Sequence, residues 1–112
     1  PFADYSDPRM PETTRMIWDK NRELYNEDAT VVTMIWYNAV ELLAKGIAEA
    51  GVLDSDAIMK TIFSWKTVPG YEGMGYWGGE AYYGIKRQGI YPVVISELKN
   101  GKWHVLTIQE PK

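Results

Sequence analysis

A glycine-rich segment is the first candidate for chemistry in this sequence. Residues 73–78 match the spacing G-x-G-x-x-G of dinucleotide-binding loops. Such a loop must follow a strand and open a helix, because the helix N-terminus holds the pyrophosphate. Here residues 81–85 read as a strand and no βαβ unit surrounds the glycines. We therefore interpret the segment as a turn-rich loop, and we predict no cofactor.

Two pairs of carboxylates could serve acid–base chemistry or bind a divalent ion. Asp54 and Asp56 lie where a helix is expected to begin, which favours capping of that helix. Glu72 and Glu80 flank the glycine-rich loop and could point into a cleft, although a solvated loop carboxylate is the commoner state. A small enzyme that uses Glu72 or Glu80 together with Tyr76 remains an open hypothesis, and it is the least favoured one.

Other catalytic and metal-binding groups are scarce. The sequence has no cysteine and one histidine, His104, which excludes thiolate zinc sites, cysteine nucleophiles and multi-histidine metal sites. No serine lies in a G-x-S-x-G context. We predict no catalytic residue and no metal site, and therefore a function other than catalysis.

Length and charge limit the function further. The chain has 112 residues, which is the size of one domain, and a net charge of −3. It lacks the basic excess that would neutralise phosphates, so we predict no nucleic-acid partner. No uninterrupted apolar run approaches the length of a membrane span, so we expect none. The chain begins at Pro1 without a signal peptide, from which we expect a processed or truncated product.

The aromatic residues are of unusual types. Five Trp and eight Tyr stand against two Phe. Tyr and Trp have polar tips that need a partner or water, which suits a ligand pocket or an amphipathic surface. Core packing is the default for Trp36, whereas Tyr37 lies beside the expected core stripe and needs a partner for its hydroxyl.

Three helices are predicted in the first 65 residues. The first, about residues 11–26, has a mostly polar surface and a narrow apolar stripe. The second, about residues 31–50, ends at Gly51, a residue suited to the left-handed cap position. The third, about residues 55–65, follows the aspartate-rich cap.

The second helix carries the clearest periodic pattern. Its apolar residues have the i, i+3, i+4, i+7 spacing of a buried face: Val32, Ile35, Trp36, Ala39, Val40, Leu43 and Ile47. Its polar residues fall on the other side: Asn38, Glu41, Lys45 and Glu49. We therefore predict that the apolar set is buried.

The C-terminal half reads as a loop followed by short strands. The loop covers residues 70–79, and the strands cover about residues 81–85, 90–98 and 102–108. Asn100-Gly101 separates the last two strands, and this dipeptide is a strong signal for a β-hairpin.

The order of these features resembles the C-terminal third of the solute-binding proteins of ABC transporters for branched-chain amino acids, the type I periplasmic binding proteins. Three motifs carry the resemblance. Tyr37-Asn38-Ala39-Val40 is similar to the family's Y-D-A motif, with Asn in place of Asp, and its helix ends in Ala50-Gly51. Tyr83-Gly84-Ile85-x-x-Gln88 is similar to the stretch before the last hinge crossing. Residues 96–103 are similar to the E-V-K-D-G-K-W hairpin.

This resemblance implies an α/β fold, the C-terminal segment of a periplasmic binding protein type I-like fold. Three helices, a Gly-rich loop and short strands that end in a β-hairpin would make up residues 1–112, a single incomplete ligand-binding lobe. The implied function is capture of a small solute, a branched-chain amino acid or a related aliphatic or aromatic compound, for uptake through an ABC permease. The implied location is periplasmic or extracellular.

The resemblance also implies ligand-contacting residues. The cleft contacts of this third of the family come mainly from the segment just before the Y-D-A helix. Carried over, these are Val32 and Thr33, with Trp36 and Tyr37 as neighbours. Tyr76 and Trp77 in the glycine-rich loop are further candidates for the rim of the cleft.

An incomplete lobe would leave apolar helix faces uncovered, because the sheet that they normally cover is missing. Exposed faces of this kind drive association, so we expect a homo-oligomer or a swapped arrangement if the chain exists alone. The alternative hypothesis is a stand-alone, self-associating α+β domain that uses the Tyr/Trp-rich loop as a binding interface. Residues 1–10 packed into a closed core would favour that alternative.

Overall fold

A computed structural model describes residues 3–112 and confirms a mixed α and β composition. The four helices are α1 (Glu12–Tyr25), α2 (Val31–Ala50), α3 (Ser55–Ser64) and α4 (Glu80–Tyr83). The five strands are β1 (Val68–Gly70), β2 (Gly73–Gly78), β3 (Gln88–Ile90), β4 (Val93–Lys99) and β5 (Lys102–Gln109). All pairs of strands in these residues are antiparallel.

The helices begin and end where the capping residues predict. The Asp54 side chain accepts a hydrogen bond from the Ala57 amide at 2.8 Å, so its assignment as the cap of α3 is confirmed. Thr30 and Thr33 form a reciprocal capping box at the start of α2. Gly51 ends α2 with a φ of 70°, the left-handed geometry that glycine adopts without a steric penalty.

The strands form two separate sheets. One has the order β1-β2-β3, and the other is the β4-β5 hairpin. The predicted turn of the hairpin is confirmed, because Asn100 and Gly101 have φ values of 51° and 72° between the paired residues Lys99 and Lys102. Two successive left-handed residues are typical of the tight type I′ turn.

Three predictions for the C-terminal half were wrong. Residues 70–79 are not a loop throughout, because they include the end of β1 and all of β2, and residues 81–85 contain the end of α4 rather than a strand. Glycine has low strand propensity, so pairing with β1 and β3 decides the structure of β2. The predicted strand 90–98 is divided at Pro92, which cannot donate a ladder hydrogen bond.

The main core joins the two ends of the chain. Tyr5, Trp18, Met34 and Val105 are all buried in one cluster. The Tyr5 ring meets Trp18 edge-on, with 5.9 Å between the ring centroids. Arg9 donates hydrogen bonds to the backbone carbonyls of two β5 residues and so ties the N-terminal segment to the hairpin. Residues 3–10 are irregular in conformation, and they form part of this core.

A second contact joins α2 to α3. Gly46 is buried, and a Cβ placed on it would lie 2.6 Å from the Cγ1 atom of Ile62. Ile58 lies on the same side of α3, and both isoleucines are buried. The small residue therefore allows the two helices to approach closely.

The predicted buried face of α2 was wrong. The inner side of α2, which we define as Met34, Asn38, Leu42 and Gly46, is the covered one. The outer side, which we define as Val32, Trp36, Val40 and Leu43, is exposed, and Trp36 keeps 68% of its surface accessible. Since α2 is apolar on nearly all sides, periodicity alone does not select the face that packs.

The described residues include one helix, α2, whose length and composition would allow it to cross a membrane. The expectation that no segment spans a membrane stays a prediction, because this finding concerns only the length and composition of the helix. A core helix and a signal sequence pass the same test, so the finding supports neither a membrane span nor an exported location by itself.

Candidate functional site

A groove lies between α2 and the three-stranded sheet. It has a volume of about 380 Å³ and is open to solvent on one side. Three aromatic residues line it, Tyr71, Trp77 and Tyr91, and we call it the aromatic groove. Mostly apolar walls with a few polar groups are typical of small-molecule sites.

The base of the aromatic groove is the ring of Tyr91, which lies across the sheet. Glycines on all three strands provide the surface beneath it: Gly70 on β1, Gly75 on β2 and Gly89 on β3. A Cβ at any of the three positions would come within 2.5 Å of a Tyr91 ring carbon. The glycine-rich composition therefore has a steric cause here, since only glycine lets the ring lie so close to the backbone.

The opposite wall comes from α2. Ile35, Ala39 and Leu42 contribute apolar surface, and Asn38 contributes an amide group. Sequence analysis placed Asn38 on the solvent side of the helix, whereas the structure leaves it half-buried and facing the sheet. Because helical residues four apart lie on one face, Asn38 and Leu42 reach the groove together.

Glu72 is the charged residue of the aromatic groove. It is half-buried, and burial raises the pKa of its carboxyl above the usual value of 4.5. Burial also raises the pKa of the neighbouring Tyr71 hydroxyl, and the Glu72 charge adds to this effect. In the core behind Tyr71, burial first and then the nearby Tyr71 and Glu72 raise the pKa of Tyr5 to about 12.

Trp77 is the predicted site residue that borders the aromatic groove. Its indole Nε1 donates a hydrogen bond to the Ile62 carbonyl at 2.8 Å, and its ring packs on Phe63 with 4.8 Å between centroids. These contacts fix the ring orientation. Tyr76 precedes Trp77 in β2, so its side chain lies on the opposite face of the sheet. Its hydroxyl donates a hydrogen bond to the Lys112 carbonyl at 2.9 Å.

The predicted residues of α2 are not brought together. Tyr37 lines a smaller neighbouring groove of about 140 Å³, which shares Asn38 and Tyr71 with the aromatic groove. The Thr33 hydroxyl accepts a hydrogen bond from the Thr30 amide in the capping box. Val32 and Trp36 lie on the outer side, away from the aromatic groove.

Sequence reasoning missed three groove residues, Tyr91, Gln88 and Leu42. Leu42 falls off the predicted apolar stripe, and Tyr91 was read only as part of a strand. Gln88 was noted only as the last residue of the Tyr83–Gln88 motif, without a role in a site. One signal was available for Tyr91: many glycines within 20 residues of an aromatic residue indicate close approach of a ring to the backbone.

Of the residues named in the acid–base hypothesis, only Glu72 lines the aromatic groove. Glu72 lines the aromatic groove, whereas Glu80 is exposed and lies 3.9 Å from the ammonium group of Lys86. Within residues 3–112, no three His, Asp or Glu side chains converge on a point where they could hold a metal ion. Tyr76 lies outside the residues that line the aromatic groove.

Comparison with known proteins adds no relative: no family model, no curated protein and no solved structure matches this chain.

Proposed function

We propose that this chain is the C-terminal part of a solute-binding protein of an ABC transporter, and that it captures a small aliphatic or aromatic solute. The observation that carries the proposal is the order of the elements. A long helix, a capped third helix, a glycine-rich segment and a final hairpin follow one another as in the resemblance.

Two of the three motifs can be located on these elements. Tyr37-Asn38-Ala39-Val40 lies in the first half of α2, and Ala50-Gly51 ends that helix. The E-L-K-N-G-K-W sequence of residues 97–103 forms the tight turn between β4 and β5. The Ala50-Gly51 ending and the hairpin motif therefore coincide with structural boundaries, which supports the proposal beyond the similarity of the letters.

Uncovered apolar surface gives further support. The outer side of α2 is exposed over its whole length, and Leu53 and Tyr82 are 87% and 89% exposed. Monomeric proteins rarely leave large apolar patches uncovered. Such surfaces are expected of one part of a larger lobe, where further strands and helices would cover them.

The same proposal implies that the protein is exported and that it delivers its solute to a permease. Solute-binding lobes close around their ligand, so residues 1–112 would supply one wall of the cleft. Val32 and Thr33 at the start of α2 remain our expectation for direct contacts, with Trp36 and Tyr37 beside them.

The test compares the 112-residue chain with the product of the complete reading frame that contains it. Calorimetry with L-leucine, L-valine, L-phenylalanine and aliphatic amides should give a Kd in the micromolar range, about −8 kcal/mol, for the longer product. The chain alone should bind at least about 100-fold more weakly. A reading frame without a second lobe, or a longer product that binds none of these solutes, would overturn the proposal.

A second candidate is a self-associating α+β domain, and the packing of the N-terminal segment favours it. Tyr5 and Met10 are almost fully buried in the main core, so residues 3–10 belong to the fold. Native mass spectrometry of the 12.8 kDa chain distinguishes the candidates. Stable multiples that show no response to solutes support the second candidate, and a monomer contradicts it.

A further inference from the structure

We propose that the aromatic groove binds a small organic cation, a protonated or quaternary amine with an apolar body. This inference does not depend on the transport proposal, because it rests on the aromatic groove rather than on Val32 and Thr33. The two share only Trp77. It depends on the charge of the groove, the fixed orientation of its rings and the state of its carboxylate.

Charge favours a cation. Among the described residues that line the aromatic groove, Glu72 is the only charged one, and neither Lys nor Arg is present. Arg9, which is ion-paired with Asp7, shares a separate, open depression with Glu72. Lys60, Lys86 and Arg87 border another depression, beside α3. A positively charged ligand is therefore attracted without competition from a cation of the groove itself.

The aromatic rings are suited to a cation and are already in position. Tyr71, Trp77 and Tyr91 supply three rings, and cations bind the faces of such rings, Trp most strongly. Trp77 is held by its hydrogen bond to Ile62, and Tyr91 is confined by the glycine surface. Because the rings are held before binding, a ligand orders little on entry and loses little affinity to entropy.

Glu72 would gain a partner. None of the ion pairs among residues 3–112 includes Glu72, although its carboxylate is partly withdrawn from water. A desolvated charge without a counterion is unfavourable, and an ammonium group beside it removes that penalty. The raised pKa of the Glu72 carboxyl agrees with this unpaired state.

The remaining polar groups suit an amine. Asn38 and Gln88 bring side-chain amides to the groove. Their carbonyl oxygens can accept hydrogen bonds from an ammonium N–H. Ile35 and Leu42 would contact the apolar body, so the ligand combines a cationic head with a few carbon atoms or one ring.

The experiment titrates the 112-residue chain with phenethylamine, and separately with 2-phenylethanol and phenylacetate, while Trp fluorescence is recorded. The three probes share one apolar body and differ in charge. We expect phenethylamine to bind at least about tenfold more tightly than the alcohol, and phenylacetate to bind more weakly than both. Equal affinities, or no saturation by phenethylamine up to about 10 mM, a limit near −3 kcal/mol, would overturn the proposal.

Two variants assign the effect to the groove. Glu72→Gln should lower the affinity for phenethylamine at least about tenfold and leave that for 2-phenylethanol nearly unchanged. Glu80→Gln is the matched control, because Glu80 is an exposed carboxylate outside the groove. An unchanged affinity in Glu72→Gln contradicts the proposal. If Glu72→Gln fails to fold, the relative affinities of the native chain for the three probes still test the proposal.

Discussion

The inner and outer sides of α2 differ far less in composition than in surroundings. Met34 on the inner side is fully buried, whereas Trp36, two residues further on, is 68% exposed. The inner side meets the main core, α3 and the sheet, and no described residue covers the outer side to a similar extent. The comparison teaches that apolar character makes a helix face available for packing, and that the available partners determine which face packs.

The largest expected effect comes from the inner side. Met34→Ala should lower the unfolding free energy by about 2–5 kcal/mol, because it leaves a cavity in the main core. The matched control on the outer side, Trp36→Ala, should change it by less than about 0.5 kcal/mol. Urea denaturation measures both. Equal losses in the two variants would mean that the outer side is also covered, for example by a second copy.

The contact between α2 and α3 gives the next effect. Gly46→Val should lower the unfolding free energy by about 1–3 kcal/mol, because the added atoms meet the side chain of Ile62. The control Ala48→Val lies on an exposed part of the same helix and should cost less than about 0.7 kcal/mol, the propensity difference. Thermal denaturation distinguishes them. A neutral Gly46→Val would contradict close packing of the two helices.

The groove beside the inner side predicts a pH dependence. Burial raises the pKa of Glu72, so the folded chain binds this proton more readily than the unfolded chain does. Stability should therefore increase as the pH falls from 7 through the folded-state pKa towards 4.5. Urea denaturation across this range should show the increase, and Glu72→Gln should remove it.

Asp7 also contributes to the pH dependence of stability, because its pKa is shifted in the folded chain. Its pKa is lowered, chiefly by the hydrogen bond from Arg9, so its contribution is present above the unfolded pKa of 3.8 and is lost below it. The two carboxylates thus act in different pH ranges. A native stability that rises with pH between 4.5 and 7 would contradict the assignment of Glu72 as desolvated.

A charge placed on the outer side of α2 should have the smallest effect on stability and a large effect on association between copies of the chain. Trp36→Glu places a charge on the outer side and should change the unfolding free energy of a monomer by less than about 0.5 kcal/mol. If the outer side joins copies of the chain, the variant should shift the native mass towards a monomer. Glu41→Gln on the same helix is the control. A native mass unchanged by Trp36→Glu would exclude the outer side as the interface.

Local features of the fold were predictable because they depend on neighbours in sequence. Asp54 caps α3, Gly51 ends α2 and Asn100-Gly101 turns the hairpin, each through hydrogen bonds or dihedral angles within a few residues. Residues 81–85 were misread as a strand, because Tyr82 and Tyr83 have strand propensity. Gly84 nevertheless ends α4 in the same left-handed geometry with which Gly51 ends α2. Because β2 pairs with β3, the segment between these two strands is a connection, and it contains the short helix α4.

The candidate site was predictable only in part. Trp77 was identified from aromatic content, and Glu72 was noted as a carboxylate near the glycines. Tyr91 was not, because its role depends on glycines from three strands that come together only in the sheet. Asn38 was assigned to the polar face because it falls on the same side of α2 as Glu41, Lys45 and Glu49. Periodicity does not show that this side meets a sheet.

The sequence by itself determined α1, α2 and α3, the caps at Gly51 and Asp54, the hairpin and the absence of thiol and multi-histidine chemistry. These follow from residue types and from interactions between near neighbours. The tertiary structure alone decided that Met34 rather than Trp36 is buried, that Tyr5 joins the core, and that Tyr91 forms the base of a groove beside Glu72. Burial depends on which distant surfaces meet, and a one-dimensional pattern does not contain that information.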